Sequence, residues 1–452
     1  MKLVRSTWRR MAVWVMNLLT LVSLLTFSVI ASAAGSPLET KTLTRFHDPV
    51  IVKTSFLTGL PTSHTVGYRL YSAHQGIVVP IPFQFDERDP SGEIVFPRPD
   101  ASREFTFDEN DELVFMAKDT GDRILPDDLP PENNGIVEIE VTDPMNSGKG
   151  WAYLLHFPEP VPPLSPVTYA TFDAKANQAR TLFYTMDYYP KRNFFTGMRI
   201  HAIAGGTGEN ILDRMKFHIH PTFSLLFTTW SPLITEQDMP TTIDGVKNGP
   251  VRAIRRVRQS LDLGQYFPAI PHGTTYTYFY FSSLMTPSTF TVPWLALKLL
   301  RELHFVGVSD FRKNALGMEY WDDANPDGLR FTGSDEAHVV TTEDHDWYVV
   351  SGQAGTHLQA FMIPDQWRQW GIVRGTIFQD RNQAADQDGP EDELGSHAAG
   401  YSLLNMTNLR KSGAYAMNLA IIFLPRRYQL GDEVQPLAML KQPLTIRTHV
   451  IQ

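Results

Sequence analysis

The 452-residue chain contains no cysteine. That excludes disulfides, a thiol nucleophile, a cysteine-held iron–sulfur cluster and an attached c-type haem, and it leaves the fold to stand on its core alone. A Gly-x-Ser-x-Gly elbow, a Walker loop, a His-Glu-x-x-His run and a dinucleotide fingerprint are also missing, so no motif fixes a reaction. Positive charge is in deficit. There are 40 Lys+Arg against 49 Asp+Glu, a net of −9, and without residues 1–34 the balance is 36 against 49, or −13. A surface of that sign repels nucleic acid and anionic lipid unless a local basic patch overrides it. Charged residues make up 20 % of the chain and aromatics 12 %, the composition of an ordered globular protein.

What is present begins at the N-terminus. Lys2, Arg5, Arg9 and Arg10 precede the apolar run 11–30, and Ala31-Ser32-Ala33 follows. This is the layout of a secretory signal peptide, with cleavage expected after Ala33 or Ala34 and the mature chain periplasmic or secreted. The apolar run of 20 residues is also long enough to span a bilayer. An uncleaved anchor is therefore the alternative, and the one membrane contact expected.

Beyond residue 34 the dominant signal is alternation. "VGYRLYS" (66–72), "IVEIEV" (136–141), "MKFHIHPTF" (215–223), "TYTYFYFSSL" (275–284) and "LTIRTHVI" (444–451) are rich in aromatic and β-branched residues, as are further runs bounded by Gly, Pro, Asn or Asp. The expected fold is all-β: a large antiparallel β-sandwich, supersandwich-like, with one or two short helices and a smaller N-terminal β region. "PWLALKLLRELH" (293–304) reads as a helix packed on the sheet, with Leu295, Leu299 and Leu303 on one face, and "PDQWRQW" (364–370) as a shorter turn. "FPEPVPPLSP" (157–166) is proline-rich and suits an extended linker. The expected division is a signal peptide at 1–34, an N-terminal β domain at 35–157, a linker at 158–166 and a main sandwich at 167–452.

Two acidic loops are candidate cation sites. In "FDENDELVFMAKDTGDR" (107–123), six acidic residues bracket a short apolar core. The bland reading is one buried strand with polar ends, Gly121 taking positive φ in the exit turn. The alternative is Ca²⁺ held by Asp108, Asn110 and Glu112, which alternate but lack the glycine that a calcium loop needs at its sixth position. "DRNQAADQDGPEDELGS" (380–396) is the stronger candidate. Its Asp386-x-Asp388-Gly389 sequence, followed by Glu391 and Asp392, resembles half of an oxygen-ligand loop, and a solvated connection is the alternative.

His218 and His220 share one face of a strand, with His201 on the preceding strand. Three imidazoles together would suit Zn²⁺, Cu²⁺ or acid–base work; polar alternation is the competing reading. In "NGPVRAIRRVRQSL" (248–261), Arg252, Arg256 and Arg258 fall on one face. They could bind an acidic sugar or a lipid head group, or pair with the chain's own carboxylates.

The segments "VPIPFQFDERD", "FDENDELVFMA" and "DGVKNGPVRAIRRV", about 36 residues in all, resemble parts of uncharacterised secreted bacterial β-rich proteins. More loosely they are similar to the galactose-mutarotase-like supersandwich class, which binds or processes carbohydrate. The resemblance implies a His/Glu constellation for catalysis, and no motif around His201, His218, His220 or His338 matches one. The expected function is an exported protein binding carbohydrate or a cell-envelope glycan. A carbohydrate isomerase, lyase or hydrolase using His218 or His220, and a structural partner in a periplasmic assembly, are the alternatives.

Overall fold

The structure is a computed structural model that describes residues 32–33, 37–61, 65–97, 108–225, 227–261, 270–334, 337–381, 395 and 397–451. Nearly all regular structure is antiparallel strand, as the alternation predicts. Five sheets form two bodies of core.

The N-terminal body packs a three-stranded sheet, ordered Pro49–Lys53, Glu112–Met116, Gln84–Asp86, on a six-stranded one. The longer strands of the latter are Tyr68–His74, Lys149–His156, Ile136–Thr142 and Thr445–Ile451, in that spatial order. All five residues of Glu112–Met116 are buried. As the middle strand of its sheet it sends Leu113 and Phe115 into the N-terminal core, while Val114 and Met116 join the main core. A strand covered on both faces reads as a continuous apolar run, and its carboxylates sit at the ends. Gly121 serves a different need from the one expected. Its φ is not among the positive ones; a Cβ there would lie 2.0 Å from the Ala73 carbonyl oxygen, so the glycine permits close approach of two backbones.

The last strand crosses the expected domain division. Residues 445–451, assigned to the main domain from sequence, pair with Ile136–Thr142 from Thr445 opposite Thr142 to Ile451 opposite Ile136.

The main body faces a nine-stranded sheet with a seven-stranded one. The nine-stranded sheet runs Thr241–Asn248, Ala253–Leu261, Ile270–Phe279, Ser283–Val292, Gly413–Leu424 and on through Gly355–Met362 and Trp347–Gly352. The seven-stranded sheet is built on Leu212–Leu225, Leu300–Phe311, His397–Leu404 and Val373–Asp380. A four-stranded sheet from Ala170–Asp173 to Phe195–Ile200 adds Tyr184, Met186 and Met198 to the same core. Three α-helices are present among the described residues: Trp294–Leu299, Asp365–Gln369 and Val434–Lys441. The third was not expected; its Leu437 and Met439 cover Trp347, Leu358 and Ile422 on the outer side of the nine-stranded sheet. The first is shorter than predicted. The chain turns back into strand at Leu300, so Leu303 belongs to a strand. Pairing of Leu300–Phe311 with the strand from Leu212 to Phe223 outweighs the local helical spacing.

Candidate functional site

The two large sheets do not close on each other everywhere. Between them lies a cavity of about 370 Å³, within the roughly 300–1,000 Å³ range of small-molecule sites. Its walls follow from period-two alternation. Met215, Phe217, Ile219 and Phe223 point in from one strand of the seven-stranded sheet, and Leu303, Phe305 and Gly307 from the next. The opposite wall carries Thr286, Ser288 and Phe290 with Met417 and Leu419 of the neighbouring strand. The lining is thus overwhelmingly apolar on one side and has a few hydroxyls on the other. Thr289 and Thr291 line the cavity and are exposed, which puts its mouth at that end of the sandwich.

The same end carries exposed apolar side chains. Phe223 lines the cavity, and the chain continues from it to Leu225, 61 % exposed, and Phe227, fully exposed. Ala296 and Leu297 line it, and the same helix presents Trp294, 60 % exposed, and Leu295, 48 % exposed. Large apolar groups clustered at a cavity entrance are the uncommon observation on a protein surface.

One charged group lies against the cavity wall. Ala253, Arg255 and Val257 alternate onto the inner face of the nine-stranded sheet; Arg255 is 1 % exposed. Its Nη1 donates to Asn193 Oδ1 at 2.5 Å, and its guanidinium carbon stands 4.2 Å from the centre of the Tyr188 ring. Asn193 and Tyr188 both line the cavity. Arg255 was not singled out from sequence, although the signal was there: it is the arginine that falls on the apolar side of the alternation.

The three arginines that were singled out do share a face, the outer one, but each is held by the chain's own acids. Arg252 is buried, with Nε 2.8 Å from Asp86 Oδ2 and Nη2 2.8 Å from Glu112 Oε2. Arg256 and Arg258 both donate to Asp244, at 2.9 and 2.6 Å. All three thus pair with the chain's own carboxylates, the alternative open from sequence: the N-terminal body supplies Asp86 and Glu112, and the neighbouring strand supplies Asp244. Beside these arginines, the strand segment "TYTYFYF" divides between two faces of the sheet. Thr277 and Phe279 face the core, while Tyr276 and Tyr278 stack on the outer face at 6.0 Å between centres, and Phe96 stacks on Tyr276 at 6.5 Å.

The histidines are not brought together. His201 follows the strand Phe195–Ile200 of the four-stranded sheet and is fixed by Thr185 Oγ1 at 2.9 Å and the Leu182 carbonyl at 3.0 Å. His218 and His220 lie on the seven-stranded sheet, where His220 faces His304 across the strand pair. His218 sits opposite Thr235, beside the buried Glu236, whose carboxyl is pushed up by burial. That His/carboxylate pair is on the side of the sheet away from the cavity. His201 thus follows a strand of one sheet, while His218 and His220 lie on a strand of another.

The weaker cation loop is also reassigned. Asp108 accepts from Asn110 N at 3.1 Å, an ordinary Asx turn, whereas Glu112 is committed to Arg88 and Arg252, both at 2.8 Å. A cation shared by Asp108, Asn110 and Glu112 would have to displace two guanidinium groups. No group of three or more His, Asp or Glu suited to a metal occurs among the described residues. Asp386, Asp388, Glu391 and Asp392 lie outside the described residues.

No protein-family model matches the chain, and no curated protein matches it significantly. Among solved structures it is similar to an alpha-mannosidase from Enterococcus faecalis V583, at 9 % identity and TM-score 0.43, covering 93 % of this chain and 45 % of that one. It is also similar to a protein of Synechocystis sp. PCC 6803, at 12 % identity and TM-score 0.34 over 58 % of this chain and 98 % of the other. A candidate mutarotase from Salmonella typhimurium gives 8 %, 0.29, 57 % and 97 %. The chain spans less than half the length of the mannosidase. These identities assign no family and no activity.

Proposed function

We propose that this chain is an exported binding protein that takes an apolar or amphiphilic small molecule into the cavity between its two large sheets. The observation that carries the reading is the cavity itself: about 370 Å³, walled by Phe, Leu, Ile and Met side chains. Burying apolar ligand surface there is favourable at roughly 25 cal/mol per Å², whereas a sugar would leave hydroxyls facing rings and methyls without partners. The exposed Leu225, Phe227 and Trp294 suit contact with a lipid surface during loading. The export part rests on the N-terminal sequence.

A second reading, glycan binding, is favoured by one observation: the stacked Phe96, Tyr276 and Tyr278 on the outer face, with the Arg256 guanidinium 4.8 Å from the Phe96 ring centre. Aromatic faces beside fixed polar groups suit sugar rings. The two readings separate in a thermal-shift screen of the purified protein against neutral and acidic oligosaccharides and against long-chain alcohols and acids. A ligand of the native state raises its apparent stability by mass action. A rise with the apolar compounds alone supports the cavity; a rise with oligosaccharides alone transfers the function to the aromatic face.

A further inference from the structure

Building on the cavity reading, we infer that its ligand is an uncharged long-chain amphiphile whose hydroxyl headgroup is received by the side-chain amide of Gln259 at the cavity mouth. Among the described residues no charged side chain lines the cavity. Arg255 is not part of the lining: Asn193 takes its Nη1, and its Nε and Nη2 are buried. A carboxylate or ammonium entering between the sheets would give up its water and meet no opposite charge, which is costly. An uncharged headgroup needs only a hydrogen bond.

Several polar groups of the lining are occupied within the fold. Asn193 Oδ1 accepts from Arg255, the Ser288 and Thr275 hydroxyls share a hydrogen bond at 2.9 Å, and Thr289 donates to the Thr274 carbonyl at 3.3 Å. Gln259 is different. It follows Val257 on the inner face of the strand Ala253–Leu261 and lines the cavity. Among the described residues neither atom of its amide has a hydrogen-bond partner, and the side chain is only partly buried.

The neighbouring strand keeps the space beside that amide clear. Gly273 lies opposite Gln259, and a Cβ there would stand 3.7 Å from Gln259 Oε1 and 3.6 Å from the Phe290 Cβ. The missing side chain leaves a slot with the amide on one side and the Phe290 ring on the other, and all three residues line the cavity. The slot adjoins Thr289, whose carbonyl oxygen would be 2.9 Å from the same Cβ and whose exposed side chain marks the mouth. A hydroxyl in it can donate to Oε1 or accept from Nε2, so either orientation of the amide serves it. Its hydrocarbon chain would then run inward between Phe290, Phe217, Phe305 and Leu419. A few polar groups in an apolar site are what fix the direction in which a ligand lies.

The test displaces the neutral fluorescent probe N-phenyl-1-naphthylamine at neutral pH with dodecan-1-ol, 1-chlorododecane and dodecanoate, which share a chain and differ in the headgroup. In the wild type the alcohol is expected to displace the probe at a concentration about tenfold or more below the acid. Gln259→Leu should weaken the alcohol roughly three- to tenfold, the loss of one hydrogen bond, and leave the chloride unchanged. Gln259→Lys, which puts a cation in the slot, should strengthen the acid about tenfold or more. An acid that displaces as well as the alcohol in the wild type overturns the inference and leaves the cavity reading standing. So does a Gln259→Leu protein that binds the alcohol as before or weakens alcohol and chloride alike, and so does an acid indifferent to Gln259→Lys. No uptake of the probe by the wild type overturns both.

Discussion

Arg252, immediately before the strand Ala253–Leu261 of the nine-stranded sheet, and Glu112 in the three-stranded sheet of the N-terminal body meet Nη2 to Oε2 at 2.8 Å, both buried. Asp86 completes the joint with Arg252 and with Lys247, each at 2.8 Å. The opposed charges hold the Asp86 carboxyl below the usual carboxylate range despite its burial. The two bodies are thus locked by a buried ion network, where removing one partner leaves the others uncompensated.

Arg252→Met is accordingly expected to destabilise the protein by about 3–5 kcal/mol. Arg258→Ala, on an exposed guanidinium, should cost less than about 1 kcal/mol. Guanidinium chloride denaturation of the two variants checks the contrast, and equal effects would deny the joint its role.

Two buried histidines predict acid sensitivity. Burial pushes His47 down to about 4 and His357 down to about 3. Both are neutral in the fold, so their contribution is intact above the unfolded value near 6.5 and is lost as pH falls toward the folded values. At pH 4.5 each costs roughly 2–3 kcal/mol. Neither ring nitrogen of His357 has a partner, so His357→Leu orphans nothing and should raise stability at pH 4.5 by that amount while changing it little at pH 7. Urea denaturation at both pH values measures the difference; the same gain at both would refute the titration account.

Leu225, Phe227 and Trp294 are exposed, so replacing all three by Ser should leave stability within about 1 kcal/mol. If they face a lipid surface, the triple variant should lose most of its sedimentation with phosphatidylcholine vesicles. Unchanged sedimentation would remove that role.

Calcium at the 380–396 loop remains a proposal from its acidic composition. It predicts that millimolar Ca²⁺ raises the melting temperature of the wild type and not that of Asp386→Ala/Asp388→Ala. Equal protection of both would dismiss the loop as the site.

How far the sequence reaches differs from feature to feature. Alternation in "MKFHIHPTF" shows both the strand and its faces, since Phe217 and Ile219 point into the cavity while His218 and His220 point out. It does not show which strands meet. His201 sits near in sequence and just past a strand of another sheet, and the strand at 445–451 was legible while its return to the N-terminal body was not. Long-range pairing leaves no periodic trace. The helix at 294 was overextended because Leu299 and Leu303 also satisfy the pattern of a turn followed by strand. The cavity was invisible for a plainer reason: Phe305 and Leu419 look the same whether they touch across a core or face each other across a gap. Arg255 was legible as an arginine on an apolar face, and its lack of a carboxylate became apparent only with the surrounding elements in place.

The most direct test of the cavity is to fill it. Gly307 lines it, and a Cβ there would meet nothing closer than Phe217 at 3.7 Å, ordinary contact; its backbone does not call for glycine. Titration with N-phenyl-1-naphthylamine should give saturable fluorescence enhancement in the wild type and at least about tenfold weaker binding in Gly307→Leu, with the variant folded and no less stable. A wild type that takes up no probe, or a Gly307→Leu protein that binds it as well, would contradict a ligand site between the sheets.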